Sequence, residues 1–245
     1  MYRDRRISVY FPCRNEAAHL DKVLATVPSF VDEIIIVSNK STDNTVERAR
    51  QLGVQAVEDN RTSGGIGYGY AHMTGISQST GDIIVTADAD CTYPVHELAS
   101  ILDHFIDDNL NFMSCNRYPL TDETDIPFKL RMGVSILNVE VAALYGHRIK
   151  DILSGMWVMD VEAKEQLELT MGDWNMSPEI KLNALLHPQI KCAEHHIRQH
   201  IRHGESHQSH WKTGFSHMLW IAKYRLKTWF GSGVPSMQTA DFEDA

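Results

Sequence analysis

The sequence predicts an α/β fold, a mixed but mostly parallel sheet flanked by helices, in a single domain. Short β-type runs alternate with helical patterns through the first 115 residues, and that alternation calls for a sheet covered by helices on both faces. The length of 245 residues, with 43% hydrophobic and 22% charged composition, is enough to bury one substantial core. No internal repeat or low-complexity tract interrupts the pattern.

The elements follow in order. "ISVYF" (7–11) reads as a strand and "EAAHLDKVLATV" (16–27) as a helix. "EIIIVS" (33–38) is the second strand, and "TVERARQL" the second helix, with Asp43 as its N-cap and Gly53 at C′. "VQAVE" follows, then the Gly-rich "SGGIGYGYAHMTG" opening a helix, a strand at 82–87, a helix at 95–108 and the strand "NFMSC" at 111–115. Beyond Arg117 the rhythm changes to one long apolar-periodic helix within 122–146, "SGMWVMD", a helix near 178–186 and a strand-like "HIRQHIR". Residues 1–210 are thus expected to form the domain, about 7–115 binding a nucleotide and 116–210 carrying the second substrate's site. An amphipathic helix at 211–231 and a polar, acidic, disordered tail at 232–245 complete the expectation.

Twenty-three Lys and Arg against 32 Asp and Glu give a net charge of −9, which argues against a general nucleic-acid binder. Any basic site must be local. Cys13, Cys91, Cys115 and Cys192 form no CxxC pair, as expected of a reduced, cytoplasmic protein. No signal-type apolar region opens the chain and no run approaches the length of a bilayer span, so the expected chain is soluble or peripheral.

The chemistry centres on "GDIIVTADADCTYP" (81–94), an apolar strand ending in Asp88 and Asp90. On an extended strand residues two apart point the same way, and open α/β sheets bind ligands at strand carboxyl ends. Paired carboxylates there suit Mg²⁺ or Mn²⁺ beside a diphosphate. The plainer alternative is an acidic turn.

Context extends this reading. "PCRNE" (12–16), "VSNKSTDNT" (37–45), the Gly-rich segment, the aspartate pair, "NRY" (116–118), "DILSGMWV" (151–158), "SPEIKL" (177–182) and "RHGESH" (202–207) stand in order. Together they resemble the family 2 glycosyltransferases of the GT-A (Rossmann-like) fold, most closely the dolichyl- or polyprenyl-phosphate sugar synthases, over about residues 7–214. The resemblance implies a metal-dependent, inverting transfer of a sugar from a nucleoside-diphosphate sugar (GDP-mannose or a UDP-hexose) to polyprenyl or dolichyl phosphate. It implies that Asp88 and Asp90, flanking Ala89, hold the metal, which stabilises the leaving diphosphate. Pro12, Arg14, Asn15, Glu16 and Asp43 then resemble the donor pocket. Asp43 also serves as a helix cap, and Arg14 with Glu16 would otherwise be a surface ion pair. Where the family carries two acids for base and ribose this chain has Ser38 and Asn39, and Met73 replaces a basic residue before Gly75.

On the acceptor side, a phosphate monoester is anionic near neutral pH and needs cations, whereas a hydroxyl acceptor needs a general base. Arg117, Arg131, Ser135 and Arg202 stand where the family grips the lipid phosphate, and Arg131 and Ser135 share a helix face. With Asp90, Arg117 and Arg202 are the expected catalytic groups. Asp151 and Glu179 are the acids available for a hydroxyl acceptor. Six histidines between 195 and 210 read as polar edge positions rather than a zinc site, with His207 in place of a family lysine. In 211–230, Trp211, Phe215, Met218, Leu219, Ala222, Leu226 and Trp229 fall at helical spacing with lysines between. Such a helix either lies in a membrane interface or packs on the domain; a membrane-embedded partner is the other means of anchoring. The rival functions are transfer to a soluble hydroxyl and non-catalytic binding of a sugar nucleotide.

Overall fold

A computed structural model of the chain describes residues 1–62, 65–121, 126–200 and 210–230, with the backbone alone at 210 and 230. The expected tail at 232–245 lies outside the described residues. Seven strands form one sheet in the order β3-β2-β1-β4-β6-β5-β7. They are β1 (Ile7–Cys13), β2 (Glu33–Asn39), β3 (Gln55–Asp59), β4 (Ile83–Thr86), β5 (Phe112–Asn116), β6 (Trp157–Asp160) and β7 (Cys192–His196). Only β6 runs against its neighbours β4 and β5; the remaining pairs are parallel.

Alternation along β1 sorts the core. Ile7, Val9 and Phe11 enter a layer with α1 (Leu20–Ala25) and α4 (Leu98–Asp107), through Leu20, Val23, Ile101 and Phe105. Tyr10 enters the opposite layer with α3 (Tyr68–Gln78) and α7 (Met176–Leu186), against Trp157, Ile76 and Ile180. Each such fully buried apolar side chain contributes about 1.5–3 kcal/mol. A third cluster joins α5 (Phe128–Tyr145) to α8 (His210–Phe230) through Leu137, Val141, Tyr145 and Ile221, and the Tyr145 hydroxyl donates to Ile221 O at 2.8 Å. Two shorter helices, α2 (Thr45–Gln51) and α6 (Val161–Gln166), complete the set among the described residues.

Three boundaries that shape the site depart from the sequence expectation. α1 starts at Leu20 rather than 16; the Glu16 and Ala17 N–H groups before it bond Thr45 Oγ1, at the start of α2, and Asp43 Oδ2 of the β2–α2 loop. β4 ends at Thr86, opposite Trp157 where β6 begins, so Asp88 and Asp90 lie beyond the strand. β7 occupies 192–196 rather than 196–202, since its partner β5 ends at Asn116 opposite His196 and the His200 N–H turns to Thr92 O. Helix α2 is capped from one residue upstream of its boundary. The Asn44 side chain caps nothing, whereas Asp43 Oδ1 accepts the Thr45 N–H at 3.0 Å. Gly53 holds the left-handed C′ position at φ 75°.

Candidate active site

A cavity of about 380 Å³ opens where β1, β2 and β4 end, the place where open α/β sheets take ligands. Its donor end holds Asp88 and Asp90. Both lie beyond β4, with Cys91 after them left-handed at φ 63°, so strand alternation does not place them on one side. Asp90 is 3% exposed, and its Oδ1 accepts the Thr92 N–H at 3.1 Å and the Thr92 hydroxyl at 2.6 Å. Gly155 forms part of the wall beside Asp88: a Cβ there would stand 3.3 Å from Asp88 Oδ2 and 3.0 and 3.2 Å from the Tyr68 and Tyr93 hydroxyls. The Tyr93 hydroxyl accepts the Gly155 N–H at 2.6 Å, which keeps that wall in place.

This donor set fits a hard divalent cation. Among the described residues no group of three or more His, Cys, Asp or Glu is arranged to hold a metal. The aspartate pair would therefore share Mg²⁺ or Mn²⁺ with oxygens of the substrate, as such ions are commonly held beside phosphates. The space kept by Gly155 lies directly against one of those carboxylates.

Of the other expected donor residues, Pro12, Arg14, Glu16, Asn39 and Ala89 line the cavity. Arg14 and Glu16 do not pair with each other. Arg14 Nη1 donates to Ile66 O at 3.3 Å, and Glu16 Oε2 lies 2.6 Å from His19 Nδ1. Asn39 donates through Nδ2 to Asp59 O and Arg61 O at 2.9 and 3.2 Å, leaving its buried Oδ1 without a partner among the described residues. Asn15, Ser38 and Asp43 fall outside the lining and build its loops instead. Asn15 Oδ1 accepts the Thr42 N–H at 2.7 Å, the Ser38 hydroxyl donates to Ser41 at 2.9 Å, and Asp43 bonds Ala17 and Thr45. The Gly-rich segment serves close backbone approach: a Cβ at Gly69 would stand 1.9 Å from Met171 O.

The acceptor end differs. Ile126, Pro127, Leu130, Val134 and Leu153 make its wall apolar, and Arg117 is its cation. Arg117 is not a solvated arginine. Its Nε and Nη2 meet Asp151 Oδ2 and Oδ1 at 2.6 and 2.9 Å, with side chains 14% and 0% exposed. Burial works against the Arg117 charge, but Asp151 more than offsets it and holds the guanidinium firmly protonated. Burial likewise opposes the Asp151 charge, and Arg117 still brings that carboxyl below the usual range. Behind them Lys181, fully buried, donates to Ile152 O and Ser154 O at 2.9 and 2.6 Å. Desolvation pushes Lys181 down to about 7 and Glu194 up to about 7. Glu179 is saturated as well. It accepts the Thr170 N–H with both oxygens at 3.0 and 2.9 Å, the Thr170 hydroxyl at 2.6 Å and the Met171 N–H at 2.8 Å.

Arg131 and Ser135 sit on the exposed side of α5, outside the cavity lining, and the Ser135 hydroxyl is turned back to Arg131 O at 3.0 Å. Arg202 and His207 lie outside the described residues. The histidines scatter: His196 Nε2 lies 2.8 Å from Pro119 O, and His200 stacks on His96 with ring centroids 5.6 Å apart.

Sequence reasoning missed Tyr68, Trp174, Ser177 and His217, all of which line the cavity. Tyr68 and Trp174 stack at 4.6 Å. Trp174 lies in an irregular connection and His217 in a helix read for its surface, so no periodic signal pointed to either.

The matching family model, "Glycosyl transferase family 2", spans residues 8–167. The chain belongs to glycosyl transferase family 2. Among its curated relatives, the low-salt glycan biosynthesis hexosyltransferase Agl6 of Haloferax volcanii is 26% identical over 88% of this chain and 52% of its own length. The chain thus spans about half of that relative. The dolichyl-phosphate hexose transferase of the same organism is 27% identical over 82% of this chain and 85% of its own length. The dolichol-phosphate mannosyltransferase of Pyrococcus furiosus is 27% identical, over 92% and 65%. Among solved structures, glucosyl-3-phosphoglycerate synthase from Mycobacterium tuberculosis, in complex with Mn²⁺, UDP and phosphoglyceric acid, superposes with a TM-score of 0.72. It is 19% identical and covers 95% of this chain and 80% of that one, which places the family 2 chain in the GT-A architecture.

Proposed function

We propose that this chain transfers a hexose from GDP-mannose or a UDP-hexose to polyprenyl or dolichyl phosphate, with inversion, at the cytosolic face of a membrane. The observation that carries this reading is the acceptor end of the cavity, which is apolar, holds Arg117, and has its expected acids already engaged by protein groups. A phosphate acceptor needs no general base, because its oxygen is already anionic. The names of the two dolichyl-phosphate relatives support the same acceptor.

Asp88 and Asp90 would hold the divalent cation, which would supply Lewis-acid stabilisation of the leaving diphosphate. Pro12, Arg14, Glu16 and Asn39 enclose the nucleotide on the donor side. Arg117, kept charged and oriented by Asp151, presents its remaining N–H groups to the acceptor phosphate, with Arg202 as its expected partner. An oxygen of that phosphate attacks the anomeric carbon as the bond from that carbon to the diphosphate breaks, and the nucleoside diphosphate departs. Leu130, Val134 and Leu153 accommodate the first apolar part of the lipid.

Helix α8 supports the membrane location. It exposes Trp211, Phe215, Leu219, Leu226 and Trp229 and carries Lys212, Lys223, Arg225 and Lys227 with no acidic residue, a composition suited to an interfacial helix. No helix among the described residues is long and apolar enough to cross a membrane.

The test is a transfer assay with labelled GDP-mannose and UDP-hexoses, Mg²⁺ or Mn²⁺, and a polyprenyl phosphate. Label is expected in the organic phase, and Arg202→Ala is expected to abolish it. Transfer only to water-soluble hydroxyl acceptors, or donor binding with no turnover, would overturn the reading.

A further inference from the structure

His217 projects from α8 into the cavity wall beside Trp174 and Ser177 and is 1% exposed. Its Nδ1 lies 2.8 Å from Asn175 Oδ1. The Asn175 amide is turned by its other end, where Nδ2 donates to Ser216 Oγ at 3.3 Å. Asn175 Oδ1 is an acceptor, so Nδ1 of the imidazole carries the proton and Nε2 is left with a lone pair. Burial, reinforced by the Lys181 charge, pushes the ring's pKa down to about 4. It is neutral throughout the physiological range.

The surroundings indicate what that lone pair meets. Trp174, adjacent in sequence to Asn175, stacks on Tyr68, and the Tyr68 hydroxyl borders the Gly155 wall beside Asp88. Tyr68, Trp174 and His217 thus line the same cavity as the aspartate pair. A sugar joined to a diphosphate at Asp88 and Asp90 would lie in this cavity, bordered by the Tyr68–Trp174 stack and by His217.

We propose that His217 Nε2 accepts a hydrogen bond from one hydroxyl of the transferred hexose and so determines which donor sugar is used. This rests on the reading that the donor's diphosphate binds at Asp88 and Asp90. A site built to pair a substrate hydroxyl loses that pairing when either partner is removed, and a buried hydrogen bond of this kind is worth about 1–3 kcal/mol when one partner is left unsatisfied.

The experiment compares the full chain with His217→Ala and His217→Gln, using the best donor and its monodeoxy analogues. In the wild type, one deoxy position is expected to lower kcat/KM by about 10- to 100-fold. His217→Ala should show a similar loss with the parent donor and no further loss with that analogue, and His217→Gln should recover part of it. Affinity for the nucleoside diphosphate alone should be unchanged in both variants, and ¹⁵N shifts should report an Nδ1–H ring. If His217→Ala melts, His217→Gln carries the comparison alone. Equal discrimination among deoxy donors by wild type and variants, or an Nε2–H ring, overturns the assignment. So does a loss that appears in the KM for the polyprenyl phosphate and not with the deoxy donors. A wild-type chain that transfers no hexose at all defeats the underlying reading; robust wild-type transfer without coupling to any deoxy position defeats only the role of His217.

Discussion

The two ends of the cavity use acidic residues in opposite ways. At the end proposed for the donor, Asp88 and Asp90 line the cavity. At the other end Asp151, behind the lining, is spent on Arg117; Glu179, outside the lining, is likewise spent on the Thr170–Met171 backbone. The difference shows that a carboxylate's chemistry is set by its partners rather than by its nearness to substrate. Asp88 and Asp90 face the cavity, whereas Asp151 and Glu179 hold structure behind it.

The sharpest way to break this contrast is Asp151→Asn. The buried Arg117 charge loses its counter-charge, and removing one partner of a buried pair costs about 3–5 kcal/mol. Urea unfolding at neutral pH should show that loss, and replacing both residues by apolar side chains of similar volume should restore much of it. Because the Asp151 pKa is lowered in the fold, its contribution is present above the unfolded carboxylate range, about 3.9. It is lost as pH falls through the folded value. A stable Asp151→Asn variant would mean that the pair is not the clamp described.

At the donor end the expected effect falls on turnover instead. Asp90→Asn should lower kcat on the order of 10²–10³-fold, corresponding to several kcal/mol of the transition-state stabilisation that a cation held by Asp88 and Asp90 would supply. Circular dichroism should remain that of the wild type. Undiminished, metal-independent turnover would remove Asp90 from the site.

Glu194 tests the layer behind Arg117. It accepts the Lys150 and Asp151 N–H groups at 2.8 and 3.2 Å, and burial lifts its carboxyl to about 7, against about 4.3 when unfolded. Between those values the unfolded state releases a proton that the fold retains. Stability from this group is therefore full below about pH 4, declines as pH rises, and is gone above about 7. Glu194→Gln should remove that slope, worth no more than about 4 kcal/mol. Chemical unfolding at pH 5 and pH 8 measures it, and parallel pH profiles for the two proteins would contradict it.

How much of this was legible in the sequence depends on the distance over which each contact is made. The Asp88–Asp90 pair and the strand before it were readable because the signal is local, although the end of that strand was not: β4 stops where β6 stops pairing with it. Asn15, Ser38 and Asp43 could be placed near the donor but not separated from Arg14 and Asn39, since lining and bracing residues alternate within the same loops. Arg117 and Asp151 were both noticed, yet as independent candidates for different acceptors; their pairing bridges 34 positions. Trp174 and His217 left no trace, because neither a loop tryptophan nor a helical histidine has a period to betray it.

The smallest expected effect concerns Glu179, the acid most open to a catalytic interpretation. Each of its oxygens already accepts backbone or hydroxyl donors from Thr170 and Met171, and it is 2% exposed. Glu179→Gln would keep one accepting oxygen and turn an NH₂ group toward an N–H donor. The cost should be about 1–3 kcal/mol, or a few degrees in Tm for a chain of this size. Below the melting temperature, kcat should change by no more than a few-fold, because the residue supports the segment leading to Trp174 rather than touching the acceptor. A loss of kcat beyond about 100-fold with an unchanged Tm would make Glu179 a general base. The acceptor would then be a hydroxyl, and the two ends of the cavity would use their acids alike.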